Sequence, residues 1–181
     1  AAQSKDAAEA IVFEVSSLPA ITGLENAVQP GATEVWDTSP GNVFLDFHMG
    51  DEEAVDQAIA NAHHVTRIHL DNTRMVVNAM EPRATLAQFD AGDEKFTLHV
   101  GSQGVTGYRD TLANAIFKMP AKKIRVISDD VGGSFGMKNA CYNEAICTMY
   151  AARRLGRPIK WCADRSESFL SDHQGRAMVM D

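Results

Sequence analysis

The residues most able to do chemistry lie between Ile124 and Lys138, in the stretch IRVISDDVGGSFGMK. It reads as strand, glycine-rich turn, helix. Glycine lets backbone N–H groups approach a ligand closely, and a helix start adds unpaired donors and a positive partial charge. The natural guest is anionic or strongly polar. Two common versions of such a loop fail. A Walker A loop needs glycine before Lys138 and Ser or Thr after it, but Met137 and Asn139 stand there. A dinucleotide fingerprint needs Gly-x-Gly-x-x-Gly, whereas the glycines here are Gly132, Gly133 and Gly136. Phe135 sits between them, and two readings stay open: a ligand-facing loop, or a tight turn with the ring tucked into the core.

A second candidate is HVGSQG, from His99 to Gly104, where Gln103 follows a strand. Its amide both donates and accepts, so it suits either an oxygen ligand or a helix cap. A third is NAMEPR, from Asn78 to Arg83, where Glu81 and Arg83 flank a φ-locking proline and could pair with each other. The six histidines have no metal-ligand spacing, and His63 and His64 would face opposite sides of a strand. The three cysteines, Cys141, Cys147 and Cys162, form no CxxC and leave an odd thiol, which favours a reducing, cytoplasmic setting over a disulfide framework or a zinc site.

The elements that must position these residues follow from periodicity. Strands are expected over 10–15, 43–47 and 64–70, and a short helix from a Thr22 cap to Val28. A helix from Asp51 follows, with Ala54, Val55, Ala58, Ile59 and Ala62 on one face. A hairpin over 84–90 and 95–100 turns at 91–93, and a helix from Val105 runs to Pro120. A strand over 122–128 leads through the glycine turn into a helix over 138–155, stopped by Gly156 and Pro158. A last strand covers 158–162. A composition seam falls near residue 50. With 181 residues, 17 basic and 24 acidic side chains, the net charge is −7, which disfavours a nucleic-acid partner. No apolar run approaches the roughly 20 residues of a membrane span. The strand-like close at Asp181 reads as a cut through a longer chain, whose bare strand edges would favour self-association.

Jointly, Met80–Arg83, Ser102–Gly104, Asp130–Lys138, Arg153–Pro158, Lys160–Glu167 and Ser171–Arg176 resemble the molybdopterin-binding large subunit of the xanthine dehydrogenase family. The nearest branch is that of aerobic carbon monoxide dehydrogenases and bacterial aldehyde oxidoreductases. The resemblance implies an α+β fold, mixed sheets with packed helices. Residues 1–50 would close an α/β-hammerhead domain and residues 51–181 would open the cofactor domain. It implies a molybdenum hydroxylase that transfers water-derived oxygen to its substrate and passes electrons to FAD and 2Fe–2S centres on partner subunits or regions. Gln103 matches the family glutamine that hydrogen-bonds an oxygen of the metal centre, beside Gly104. Gly132, Gly133, Phe135 and Gly136 match the loop whose amides cradle the cofactor. Asn139 stands near the substrate where the purine-oxidising branch has glutamate. No residue here is a direct metal ligand, and the family's general-base glutamate has no match, so this stretch alone is expected to be inactive. Two other readings remain: a non-catalytic assembly module of a split enzyme, and a phosphate or nucleotide binder using the glycine turn.

Overall fold

The computed structural model describes residues 2–181, and within it the chain divides into two compact units. The first comprises residues up to Asp71 together with Ala177–Asp181. It holds α1 (Ala2–Glu9), α2 (Leu24–Ala27) and α3 (Glu52–Ala60). It also holds a 3-10 turn over Pro40–Asn42, and β1 (Leu70–Asn72) pairs with β6 (Met178–Met180) in a two-stranded sheet. Asp51 starts α3 as expected, its carboxylate accepting the Ala54 N–H at 3.0 Å. The apolar stripe of α3 is exposed, however. The expected strands over 10–15 and 43–47 are absent, and 64–70 contributes only its last residue to β1. A strand exists only where a neighbour completes its ladder. The β-branched and aromatic residues of these segments have none: Phe13 and Phe44 lie largely in solvent. The α2 cap is Gly23, not Thr22.

The second unit, Asn72–Arg176, carries the core. A four-stranded mixed sheet runs in the order β4 (Ile124–Ile127), β3 (Lys95–Val100), β2 (Ala84–Asp90), β5 (Ile159–Cys162). The hairpin appears as expected, with Leu86 opposite His99 and Phe89 opposite Phe96. β5 pairs antiparallel with β2, and β4 pairs parallel with β3. Helix α5 (Asn143–Leu155) packs on the sheet and ends on Arg153, Arg154 and a left-handed Gly156. Phe96, Leu98, Leu112, Ala145 and Met149 are fully buried between these layers. The helix expected from Val105 is α4 (Val105–Asp110), continuing as a π-helical stretch over Thr111–Phe117. Helix α6 (Arg165–Ser171) opens with a capping box from Asp164 and Glu167. No helix among the described residues is long and apolar enough to cross a membrane.

Candidate functional site

Sheet direction explains why the three candidate segments meet. β3 and β4 are parallel, so the chain leaves both at one edge of the sheet. β2 runs antiparallel to β3, so Glu81 and Arg83, which precede it, enter at that same edge. β5 exits there too, since Cys162 lies opposite Ala84. Strand ends of this kind are where α/β chains collect ligand-binding loops. Ser128 stitches the two exits together, its hydroxyl accepting the Ser102 N–H and donating to the Ser102 carbonyl.

Glu81 anchors the glycine loop. Its N–H donates to the Gly132 carbonyl at 3.0 Å, while its Oε2 accepts the Gly132 N–H at 2.9 Å. The same oxygen accepts from Lys138 Nζ at 2.6 Å. The Lys138 side chain is only 1% exposed, so this ion pair lies at the root of the loop. Burial pushes the Glu81 carboxyl up, but the hydrogen bonds from Lys138 and Gly132 outweigh it and hold the group below the ordinary glutamate range. The approach is so close that a Cβ on Gly132 would lie 2.5 Å from Glu81 Cβ.

Beyond Gly132 the backbone turns through left-handed conformations at Gly133 (φ +98°), Phe135 (φ +50°) and Gly136 (φ +90°). For a bulky side chain such as Phe135 that conformation is strained, by about 1–3 kcal/mol. Phe135 is 80% exposed, which overturns its reading as a core residue. It folds back over Gly133, where a Cβ would stand 3.0 Å from a ring carbon. The N–H groups of Gly133, Ser134, Phe135 and Gly136 have no protein acceptor among the described residues. The donors therefore belong to the loop itself. A helix does not follow directly as the sequence suggests: a single 3-10 turn over Met137–Asn139 intervenes, and α5 begins only at Asn143. Ala140 is extended between them, so the helix's positive end is displaced from the loop.

Gln103 meets the loop at Ser134. The Ser134 hydroxyl donates to Gln103 Oε1 at 2.6 Å and accepts the Lys138 N–H at 3.0 Å, while the Gln103 N–H donates to the Lys138 carbonyl. Gln103 does not cap α4, whose N-cap is Gly104 with no side-chain bond. Asn139 is exposed one residue after Lys138. Glu81 and Arg83 do not pair with each other, contrary to the local reading. Arg83 is buried and binds Asp172 at 2.6 Å, Glu144 at 2.8 Å and the Ser171 hydroxyl at 2.8 Å, with Tyr142 stacked 3.7 Å from its guanidinium. Burial alone would lower the Arg83 pKa; its two carboxylate partners raise it further than burial lowers it. Tyr142 in turn donates to the Met137 carbonyl at 2.8 Å, tying this cluster to the end of the loop. Sequence reasoning missed the Lys138 and Ser134 bonds and the partners Glu144 and Asp172. The acidic residues lie 61 and 89 positions from Arg83, with no local pattern linking them.

An α+β sheet edge thus presents a strained, glycine-framed loop of free amide donors beside a glutamine, the arrangement of a domain that holds an oxygen-rich cofactor. Residues 35–181 match the molybdopterin cofactor-binding domain family, and the chain belongs to it. The chain is 29% identical, over 97% of its length, to the carbon monoxide dehydrogenase large chain of Hydrogenophaga pseudoflava. It is 34% identical, also over 97%, to subunit gamma of the 6-hydroxypseudooxynicotine dehydrogenase complex of Paenarthrobacter nicotinovorans. It spans 23% and 22% of those two relatives' lengths. Among solved structures, quinoline 2-oxidoreductase from Pseudomonas putida 86 superposes with a TM-score of 0.82 at 30% identity, over 98% of this chain and 22% of that one. The resemblance to the xanthine dehydrogenase family's molybdopterin-binding subunits therefore holds.

Proposed function

We propose that this chain forms part of the cofactor site in the large catalytic subunit of a molybdenum hydroxylase. The observation that carries the reading is the row of unpartnered amides from Gly133 to Gly136 beside Gln103. These are hydrogen-bond donors only, and Gln103 Nε2 likewise has no acceptor among the described residues. Such a set fits the oxygen atoms of a molybdenum–molybdopterin cofactor. It does not suit a bare cation, because N–H groups only donate, and Glu81 is already engaged by Lys138 and Gly132. When bound, the cofactor supplies two-electron redox chemistry. The chain's contribution is to orient it: Gln103, Gly104, Gly132, Gly133, Phe135 and Gly136 form the cradle, and fixed amide dipoles favour negative charge without having to reorganise. Gly132 serves indirectly, since its own N–H is held by Glu81.

In this reading the exposed Phe135 ring and Asn139 border the substrate side, and Asn139 in place of an acidic residue favours carbon monoxide, an aldehyde or an N-heterocycle over a purine. The chain's relatives include a carbon monoxide dehydrogenase, a nicotine 6-hydroxylase, an aldehyde oxidoreductase and a quinoline 2-oxidoreductase, which supports this range, beside a probable xanthine dehydrogenase subunit. Electrons would pass to 2Fe–2S and FAD centres on partner subunits or regions, in the cytoplasm. Residues 1–50 would complete an α/β-hammerhead domain ahead of a cofactor domain over 51–181. The family match begins at residue 35, ahead of that boundary, and the structural likeness covers 98% of this chain. The test is to isolate the natural full-length protein from molybdate-fed cells and measure molybdenum and pterin content. Both should approach one per subunit, with dye reduction by one of the three substrate classes. Folded protein without molybdenum or pterin would overturn the reading.

A further inference from the structure

Ser134 is the only side chain in the loop that reaches across to Gln103, and its hydrogen bonds run in one direction. The Lys138 N–H donates to Ser134 Oγ at 3.0 Å, and the Ser134 hydroxyl donates to Gln103 Oε1 at 2.6 Å. The Gln103 N–H returns to the Lys138 carbonyl at 3.3 Å, closing the ring. A backbone N–H can only donate, so the first bond has a fixed polarity. The serine hydrogen is then matched to the amide oxygen of Gln103. Rotating that amide by half a turn would place its NH2 group against Ser134 and leave the serine hydrogen without this acceptor. A flipped amide could still donate to the second lone pair of Ser134 Oγ but would cost the serine hydrogen its acceptor, so the ring favours Gln103 Oε1 toward the protein and Nε2 as the free end. The neighbouring loop N–H groups from Gly133 to Gly136 are donors as well.

We propose that Ser134 is a positioning residue that fixes the orientation of the Gln103 amide, so that Gln103 presents an N–H rather than an oxygen to the bound group. The inference rests on the cofactor reading above. It goes beyond it in saying which residue holds the Gln103 amide in that orientation. Without the serine hydroxyl, nothing in the ring distinguishes the two amide orientations. In one of them the glutamine oxygen would oppose the cofactor's oxygen atoms.

The test uses the full-length holoenzyme with Ser134→Ala and Ser134→Thr, the latter retaining the hydroxyl. Molybdenum content comes first: wild type without molybdenum would overturn the underlying reading and this proposal with it, whereas loaded wild type isolates the role of Ser134. With wild type loaded, Ser134→Ala should keep its molybdenum content. In the same variant, the exchangeable-proton coupling that the Gln103 amide gives the one-electron-reduced, paramagnetic metal centre, read by electron–nuclear double resonance in H2O against D2O, should fall to about half or less. Its kcat should fall between about twofold, for an amide free to adopt both orientations, and about a hundredfold, the loss of one oriented donor, with KM little changed. Ser134→Thr should restore both readouts. In a Gln103→Ala background, Ser134→Ala should add nothing, because the serine acts through the glutamine. If Ser134→Ala does not accumulate folded, Gln103→Glu answers instead: its carboxylate still accepts from Ser134 but has no N–H, so it must lose the same coupling. A native coupling in either variant, or additive losses in the double variant, would overturn the proposal.

Discussion

Replacing Gly132 by alanine puts a methyl group 2.5 Å from Glu81 Cβ and 3.4 Å from the Glu81 nitrogen. The obstacle is the root of a side chain rather than a flexible tip, so the loop itself must move away from Glu81. That movement stretches two bonds, Glu81 N–H to the Gly132 carbonyl and Gly132 N–H to Glu81 Oε2. A neutral backbone bond contributes about 1 kcal/mol and a charge-assisted one about 1.5–3 kcal/mol. Glu81 is 42% exposed, so solvent screening discounts the charged bond. Alanine also narrows the unfolded ensemble slightly in the opposite direction. The net cost is about 2–3 kcal/mol, or roughly a 30- to 150-fold rise in local opening. Hydrogen exchange read by mass spectrometry on the full-length protein should show that loss at the hydrogen-bonded amides of Gly132, Met137 and Lys138. Gly104→Ala is the control: a Cβ there meets nothing within 4 Å, and the backbone is extended at φ −164°. Its protection should match wild type. If Gly132→Ala also matches wild type, the close Glu81–Gly132 contact does not hold the loop.

Three further outcomes follow from the same geometry. Arg83→Met strands Asp172, whose side chain is 2% exposed, without its cation, and should cost about 3–5 kcal/mol in denaturant unfolding; Arg83→Lys should recover only part of it, since one ammonium cannot match the guanidinium's contacts with Asp172, Glu144 and Ser171. Because the folded-state pKa of Glu81 lies below its ordinary value, its stabilising effect is full above about 4.3 and is lost as pH falls through the depressed value; loop protection, corrected for intrinsic exchange, should drop on acidification, and Glu81→Gln should flatten that dependence. Asp51→Ala removes the carboxylate that accepts the Ala54 N–H and should fray α3 by about 0.5–2 kcal/mol, seen as faster exchange in its first turn.

The second unit was largely legible because its residues carry local rules that its packing also obeys. The hairpin alternates and is bounded by turn residues, and α5 ends on basic residues and glycine where dipole and sterics demand them. The first unit was not. Segments 10–15 and 43–47 have strand-forming residues but no ladder partner, and propensity without a partner leaves backbone groups to water. At the site, Gln103 and the glycine loop were visible from composition and spacing. Their convergence was not, because it depends on β3 and β4 being parallel, a pairing that no residue type announces. The helix expected from Lys138 failed for a physical reason: Tyr142 is extended as the α5 N-cap, and its hydroxyl binds the Met137 carbonyl, which holds a break between loop and helix.

The most direct measurement is an experimental structure of the natural full-length protein with its cofactor bound. The account predicts that the amide nitrogens between Gly133 and Gly136, together with Gln103 Nε2, lie about 2.7–3.2 Å from oxygen atoms of the cofactor. A cofactor seated elsewhere, or these amides turned inward onto protein carbonyls, would contradict it.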